Sequence, residues 1–199
     1  MNKSIVYLIC LMVLLFVGVT GCGPQDETRT LPYTRYVESY DGARVPVPDH
    51  PKRILALSSA SDTILLGLVE PDRLVGINTL STYEEYSLEA KRAKLVKPAM
   101  SSYPLEKIIA LEPDLVIAPD YTSADVIAGL RHMGIPTVVV PTGTTVESVI
   151  KNVTDIAHIV GEDEKGQFYE QKIRRELETM KRLGTSIPLN QRKSVLFVS

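Results

Sequence analysis

Paired cysteines are missing from this chain. Of its 199 residues only Cys10 and Cys22 are cysteine. Cys10 lies in an apolar leader that processing removes, so no disulfide staple is expected. A basic stripe is missing too. Lys and Arg number 22 against 24 Asp and Glu, a formal charge of -2. That mixed, nearly neutral balance excludes the electrostatic footprint of a nucleic-acid binder. Tryptophan is absent, and histidine is confined to His50, His132 and His158. These fall in a proline-rich stretch and in two helical segments, so no His set converges for a zinc or manganese site. No G-x-G-x-x-G follows a strand, and neither a P-loop lysine motif nor a G-x-S-x-G elbow occurs. These are among the catalytic and cofactor motifs that sheet-and-helix folds carry. Ser58, Asp62 and Asp120 are polar candidates for a catalytic group, yet no histidine pairs with them.

What is present starts with Lys3 and an uncharged run from Ile5 to Val19. The run is short for a relaxed membrane span, and small residues follow it, which is the layout of a secretory signal peptide. "VTGC", residues 19–22, resembles the bacterial lipobox. On that reading residues 1–21 are cleaved, and Cys22 becomes the lipidated first residue, anchored in the membrane. An uncleaved anchor with an incidental cysteine is the alternative. Both place the domain outside the cytoplasm on a tether. Cleavage removes one Lys and no acid, so the formal charge moves from -2 to -3. The rest, 22–199, suits one ordinary domain. Residues 22–32 are polar and read as a flexible tether.

From residue 33 the chain reads as an α/β fold with a doubly wound, mostly parallel sheet. Tyr33 to Val37 and Arg44 to Val47 predict a hairpin about Asp41-Gly42, with Pro46 and Pro48 marking an edge. "RILALS" reads as a buried parallel strand. A helix follows, capped by Ser59 or Ser61, with Ile64, Leu65 and Leu68 on one face. "RLVGI" is a second strand and "KLVK" a weaker third. "PLEKIIALEP" predicts a short helix, "DLVIAPD" a strand, "SADVIAGLRHMG" a helix closed by Gly134, and "TVVVPT" a strand. Residues 145–161 carry an apolar stripe ending at Gly161. Residues 162–185 predict a long, polar linking helix of the kind that bridges two units. Residues 193–199 open another apolar strand. We read this as the start of a second lobe; a strand completing the first sheet is the alternative.

The ordered stretches "PKRILALSSASDTILLGL", "DRLVGI", "PLEKIIALEPDLVIAPD", "LRHMGIPTVVV" and "TVESVIKNVTDIAHIVG" resemble the substrate-binding lipoproteins of ABC importers for siderophores, haem and cobalamin. The resemblance implies two α/β lobes joined by one rigid helix, with ligand held between them. Residues 33–161 are then the first lobe. It also implies a monomer that delivers ligand to an ABC permease dimer with its ATPase. It calls for neither a cofactor nor a bound metal of its own, and for no catalysis.

Open α/β sheets bind ligands at the carboxyl ends of their strands. That rule selects the loops 58–61, 78–86, 98–103, 119–122 and 141–144. They contain the candidate ligand residues Ser59, Ser61, Tyr83, Tyr86, Met100, Tyr103, Asp120, Tyr121 and Thr142. Four tyrosines suit a large amphipathic ligand, since each offers a flat apolar face and one hydroxyl. A phenolate is also a ligand for ferric haem iron. Few cations occur in these loops, so a strongly anionic siderophore needs cations from elsewhere. Met100 matches the position where the cobalamin binders of the family place an aromatic, which counts against cobalamin. Glu106, in "LEKI", matches the glutamate that docks on permease arginines. An acid in a helix's first turn that merely favours the dipole is the plainer reading.

Overall fold

The structure, a computed structural model, describes residues 35–191 and 193. The expected leader, the tether, Cys22 and the strand residues 194–199 lie outside the described residues. A hairpin comes first. β1 (Arg35–Glu38) pairs antiparallel with β2 (Arg44–Val47), and Gly42 adopts φ 81° in the turn between them. Then follow β3 (Ile54–Ala56), α1 (Ser59–Leu68), β4 (Ile77–Asn78), α2 (Ala90–Ala93), β5 (Ala99–Met100), α3 (Leu105–Ala110), β6 (Leu115–Pro119), α4 (Ala124–His132), β7 (Thr137–Val140), α5 (Val146–Val160) and α6 (Asp163–Ser186).

The sheet is parallel at its centre. β6 lies between β3 and β7, with Ala56 opposite Ile117 and Ile117 opposite Val138. β4 and β5 form a second parallel pair, joined to the first by a bridge between Ile54 and Leu74. Successive residues of a strand face opposite sides, and both sides of these strands are apolar. Ile54, Ala56, Leu115, Ile117, Val138 and Val140 face α1 and α5, where Leu65 and Ile156 are buried. Leu55, Val116 and Ala118 face α3 and α4, against Ile108 and Leu130. Helices thus cover both faces, as the alternating pattern predicted.

Two expected strands differ. "KLVK" is not a strand. It follows α2 as a turn, with Val96 buried as a plug. The strand lies further on, at Ala99–Met100, because its register is set by pairing with β4 rather than by local apolarity. "RLVGI" contributes only Ile77 to β4, since Pro71–Arg73 is a 3-10 turn.

The hairpin seals one sheet edge. The Tyr40 N–H donates to the Val139 carbonyl at 3.0 Å, and the Val139 N–H donates to Ser39 Oγ at 2.8 Å. Arg131 clamps it by donating to Asp41 at 2.7 Å and to Ser39 at 3.1 Å. That guanidinium holds the Asp41 carboxyl down at about 2.

α5 begins with a capping box between Thr145 and Ser148 and ends at Gly161, φ 75°. A Cβ at Gly161 would collide with the Asp49 carbonyl oxygen, so the close approach and the positive φ both demand glycine there. α6 touches the lobe through its first turns. Tyr169 Oη donates to the Gly67 carbonyl at 3.2 Å, and Lys165 Nζ to the Leu68 carbonyl at 2.7 Å. Farther along, Met180 and Leu183 are exposed.

Candidate functional site

The parallel strands all deliver their following loops to one end of the sheet. There a pocket of about 380 Å³ opens between α1, α5 and the ends of β6 and β7. That volume lies at the low end of small-molecule sites. Ser59, Ser61, Tyr121 and Thr142 line it together with Asn152, against apolar walls that include Ile64, Val149 and Ile156. Ser58 caps α1, in place of the expected Ser59 or Ser61, and its Oγ accepts the Ser61 N–H at 3.2 Å. The helix therefore starts two residues after Leu57, whose N–H makes the last strand contact with the Ile117 carbonyl, and Ser59 and Ser61 in its first turn line the pocket.

Asp120 bonds to a neighbour on this rim. Its carboxylate accepts the Thr142 hydroxyl at 2.6 Å and the Thr142 N–H at 3.0 Å. Those two bonds, the hydroxyl first, hold its carboxyl below the ordinary range. Asn152 was not singled out in the sequence. Its Nδ2 donates to the Pro141 carbonyl at 2.8 Å, while its Oδ1 is buried without a partner. An asparagine on the apolar stripe of α5 is the signal that marks it.

The tyrosines divide. Tyr121 reaches the pocket and is largely exposed. Tyr83 and Tyr86 pair edge-to-face with each other, centroids 6.5 Å apart, on the loop after β4. Both are exposed, at 48% and 73%. Tyr103 is half-buried against the core, and its hydroxyl has no partner. Burial first, then the nearby Asp62 carboxylate, raise its ionisation well above the ordinary phenol value. Met100 is mostly buried. It is 8% exposed and packs in the core under Gly76, beside Leu55 and Leu111. The absence of a Cβ at Gly76 leaves the space that Met100 fills.

Asp62 is buried in the first turn of α1. One of its oxygens accepts the Asn78 N–H at 2.7 Å and the Ser81 hydroxyl at 2.9 Å. Its other oxygen has no partner. Burial drives the carboxyl up to about 7, against those two bonds. Glu106 stands apart from the pocket, exposed in the first turn of α3.

A family model described as periplasmic binding protein matches residues 54–199. The chain belongs to that family. Three relatives bracket this periplasmic binding protein. An uncharacterised ABC transporter substrate-binding lipoprotein of Bacillus subtilis is 28% identical over 196 residues, 92% of this chain and 60% of its own length. A vitamin B12-binding protein of Vibrio campbellii is 31% identical over 134 residues, 65% of this chain and 46% of its own. An iron(3+)-hydroxamate-binding protein of Bacillus subtilis is 28% identical over 169 residues, 81% and 47% respectively. This chain thus spans about half the length of the curated relatives it matches. Among solved structures, a periplasmic solute binding protein of Veillonella parvula superposes with TM-score 0.65 at 21% identity, covering 78% of this chain and 50% of that one. The haem binding protein HmuT superposes with TM-score 0.61 at 26% identity, covering 77% and 50%.

Proposed function

We propose that the protein is a lipid-anchored extracytoplasmic receptor that captures an iron complex, haem or a ferric siderophore, and hands it to an ABC permease with its ATPase. Its work is capture without catalysis, as a monomer tethered through Cys22. The observation that carries this reading is the strand-end pocket with Tyr121, Ser59 and Thr142 at its rim and the exposed Tyr83–Tyr86 pair on a neighbouring loop. Flat apolar faces with a few hydroxyls match a porphyrin or an aromatic chelate. Glu106 docks on permease arginines, where an exposed carboxylate contributes orientation and on-rate more than affinity. Cobalamin is the second reading. The vitamin B12-binding relative favours it, while Met100, at the position where the cobalamin binders of the family place an aromatic, counts against it.

The test is a panel. The full-length native protein is titrated with hemin, a ferric hydroxamate siderophore and cyanocobalamin, followed by thermal unfolding and by the fluorescence of its tyrosines, which no tryptophan masks. A ligand at a hundredfold excess over its Kd stabilises by about 2.7 kcal/mol, so one member should raise the melting temperature by several degrees. No shift with any of them overturns the proposal. The intact mass of the same material reads the lipid on Cys22.

A further inference from the structure

Asp62 is a buried acid that ligand capture, as described, leaves unused. It is 1% exposed. Burying a carboxylate is costly unless it is well bonded, and here one oxygen makes both bonds while the other makes none. Both donors belong to one segment. Asn78 ends β4, and its side chain accepts the Leu80 N–H at 2.9 Å. Ser81 is the buried residue of the 3-10 turn Thr79–Thr82. Tyr83 closes that turn, its N–H donating to the Leu80 carbonyl at 3.2 Å. The N–H groups of Tyr86 and Ser87 then return to the Tyr83 carbonyl at 3.1 and 3.0 Å. A continuous chain of hydrogen bonds therefore runs from the first turn of α1 to the two exposed tyrosines.

We propose that Asp62 is the positioning residue of the tyrosine face: by tying the Thr79–Thr82 turn to α1, it sets where Tyr83 and Tyr86 stand for a flat amphipathic ligand. The inference rests on the capture reading above. A leucine would fill the same space and pack with the apolar residues of α1 at no desolvation cost, but it would hold no turn. An asparagine oxygen accepts the same two bonds as the aspartate oxygen; an alanine accepts neither. The Asn and Ala variants thus separate the tie from the charge.

Hydrogen exchange on the full-length wild type, Asp62→Ala and Asp62→Asn reads the tie without any ligand. Amides of residues 79–87 should exchange about tenfold faster in Asp62→Ala, with β3, β6 and β7 unchanged, and should return to wild-type rates in Asp62→Asn. Hemin affinity by tyrosine quenching should fall and recover in the same order. Wild-type exchange in Asp62→Ala, or equal acceleration in both variants, overturns the proposal. Should Asp62→Ala fail to fold, Ser81→Ala removes one bond and leaves the carboxylate; unchanged exchange of 79–87 there overturns it equally. If the wild type binds no member of the ligand panel, the capture reading falls, and with it the purpose assigned to the tie, whatever the exchange rates show.

Discussion

Nη1 of Arg73 lies 2.5 Å from Oε1 of Glu162, joining the first crossover to the foot of α6. The same guanidinium donates to the Pro51 carbonyl at 2.9 Å and the Val160 carbonyl at 3.1 Å. Burial alone would raise the Glu162 carboxyl, but bonds from Arg73 and Lys165 outweigh it and hold it below its ordinary 4.5. A group lowered on folding stabilises above its unfolded value, and that contribution fades as pH falls through the folded one. Arg73→Met should therefore cost about 1–3 kcal/mol near neutrality, because it leaves a partly buried carboxylate with Lys165 alone and frees the Pro51 and Val160 carbonyls. The deficit should shrink toward pH 3. Urea unfolding at both pH values checks this, and an equal deficit at the two would contradict it.

Asp62 runs the opposite way. Its carboxyl rises from 3.8 to about 7 on folding, so the native state holds a proton that the unfolded chain releases. Its contribution is full below about pH 4 and is lost as pH rises toward 7, at up to about 1.4 kcal/mol per pH unit. Asp62→Asn does not titrate. Its melting temperature should be flatter than wild type between pH 4 and 7, with the variant at least as stable at pH 8. Parallel curves would remove Asp62 as the source.

Charge reversal at Glu106 tests docking separately from capture. Glu106→Lys should leave ligand affinity within about twofold of wild type, since the residue stands apart from the pocket, while slowing transport in cells or vesicles carrying the permease. Reduced ligand affinity would instead put Glu106 in the binding face.

At Gly161 the expected effect is on stability alone. Gly161→Ala must hold a positive φ and push its Cβ into the Asp49 carbonyl. A loss of about 2–4 kcal/mol follows from backbone strain plus the displaced contact. A melting temperature within a degree of wild type would mean that the segment at Asp49 yields freely.

Much of the scaffold was legible because its strands are buried on both faces. Leu115–Pro119 and Thr137–Val140 are nearly unbroken apolar runs, and the stripe of α5 ends at a glycine. The two-residue strand β4 was legible only at Ile77 and β5 not at all, since pairing partners rather than composition define them. The candidate site was half legible. Ser59, Ser61, Tyr121 and Thr142 share one pocket by the strand-end rule alone. The burial of Met100 was not legible, because its packing partner Gly76 stands 24 positions earlier in the chain. Asp62 was read only as a polar candidate without a histidine; its tie to Asn78 and Ser81 was hidden because local sequence does not connect that turn to α1.

The 24 residues of α6 make a rod about 36 Å long, so a tilt of about five degrees at its foot carries the far end roughly 3 Å. Geometry magnifies any looseness near Glu162 into a displacement as large as a hydrogen bond. The clustering of Arg73, Lys165 and Tyr169 at that end is the economical place to suppress it. A substitution there would act as a pointing error, felt most strongly where the protein has changed least.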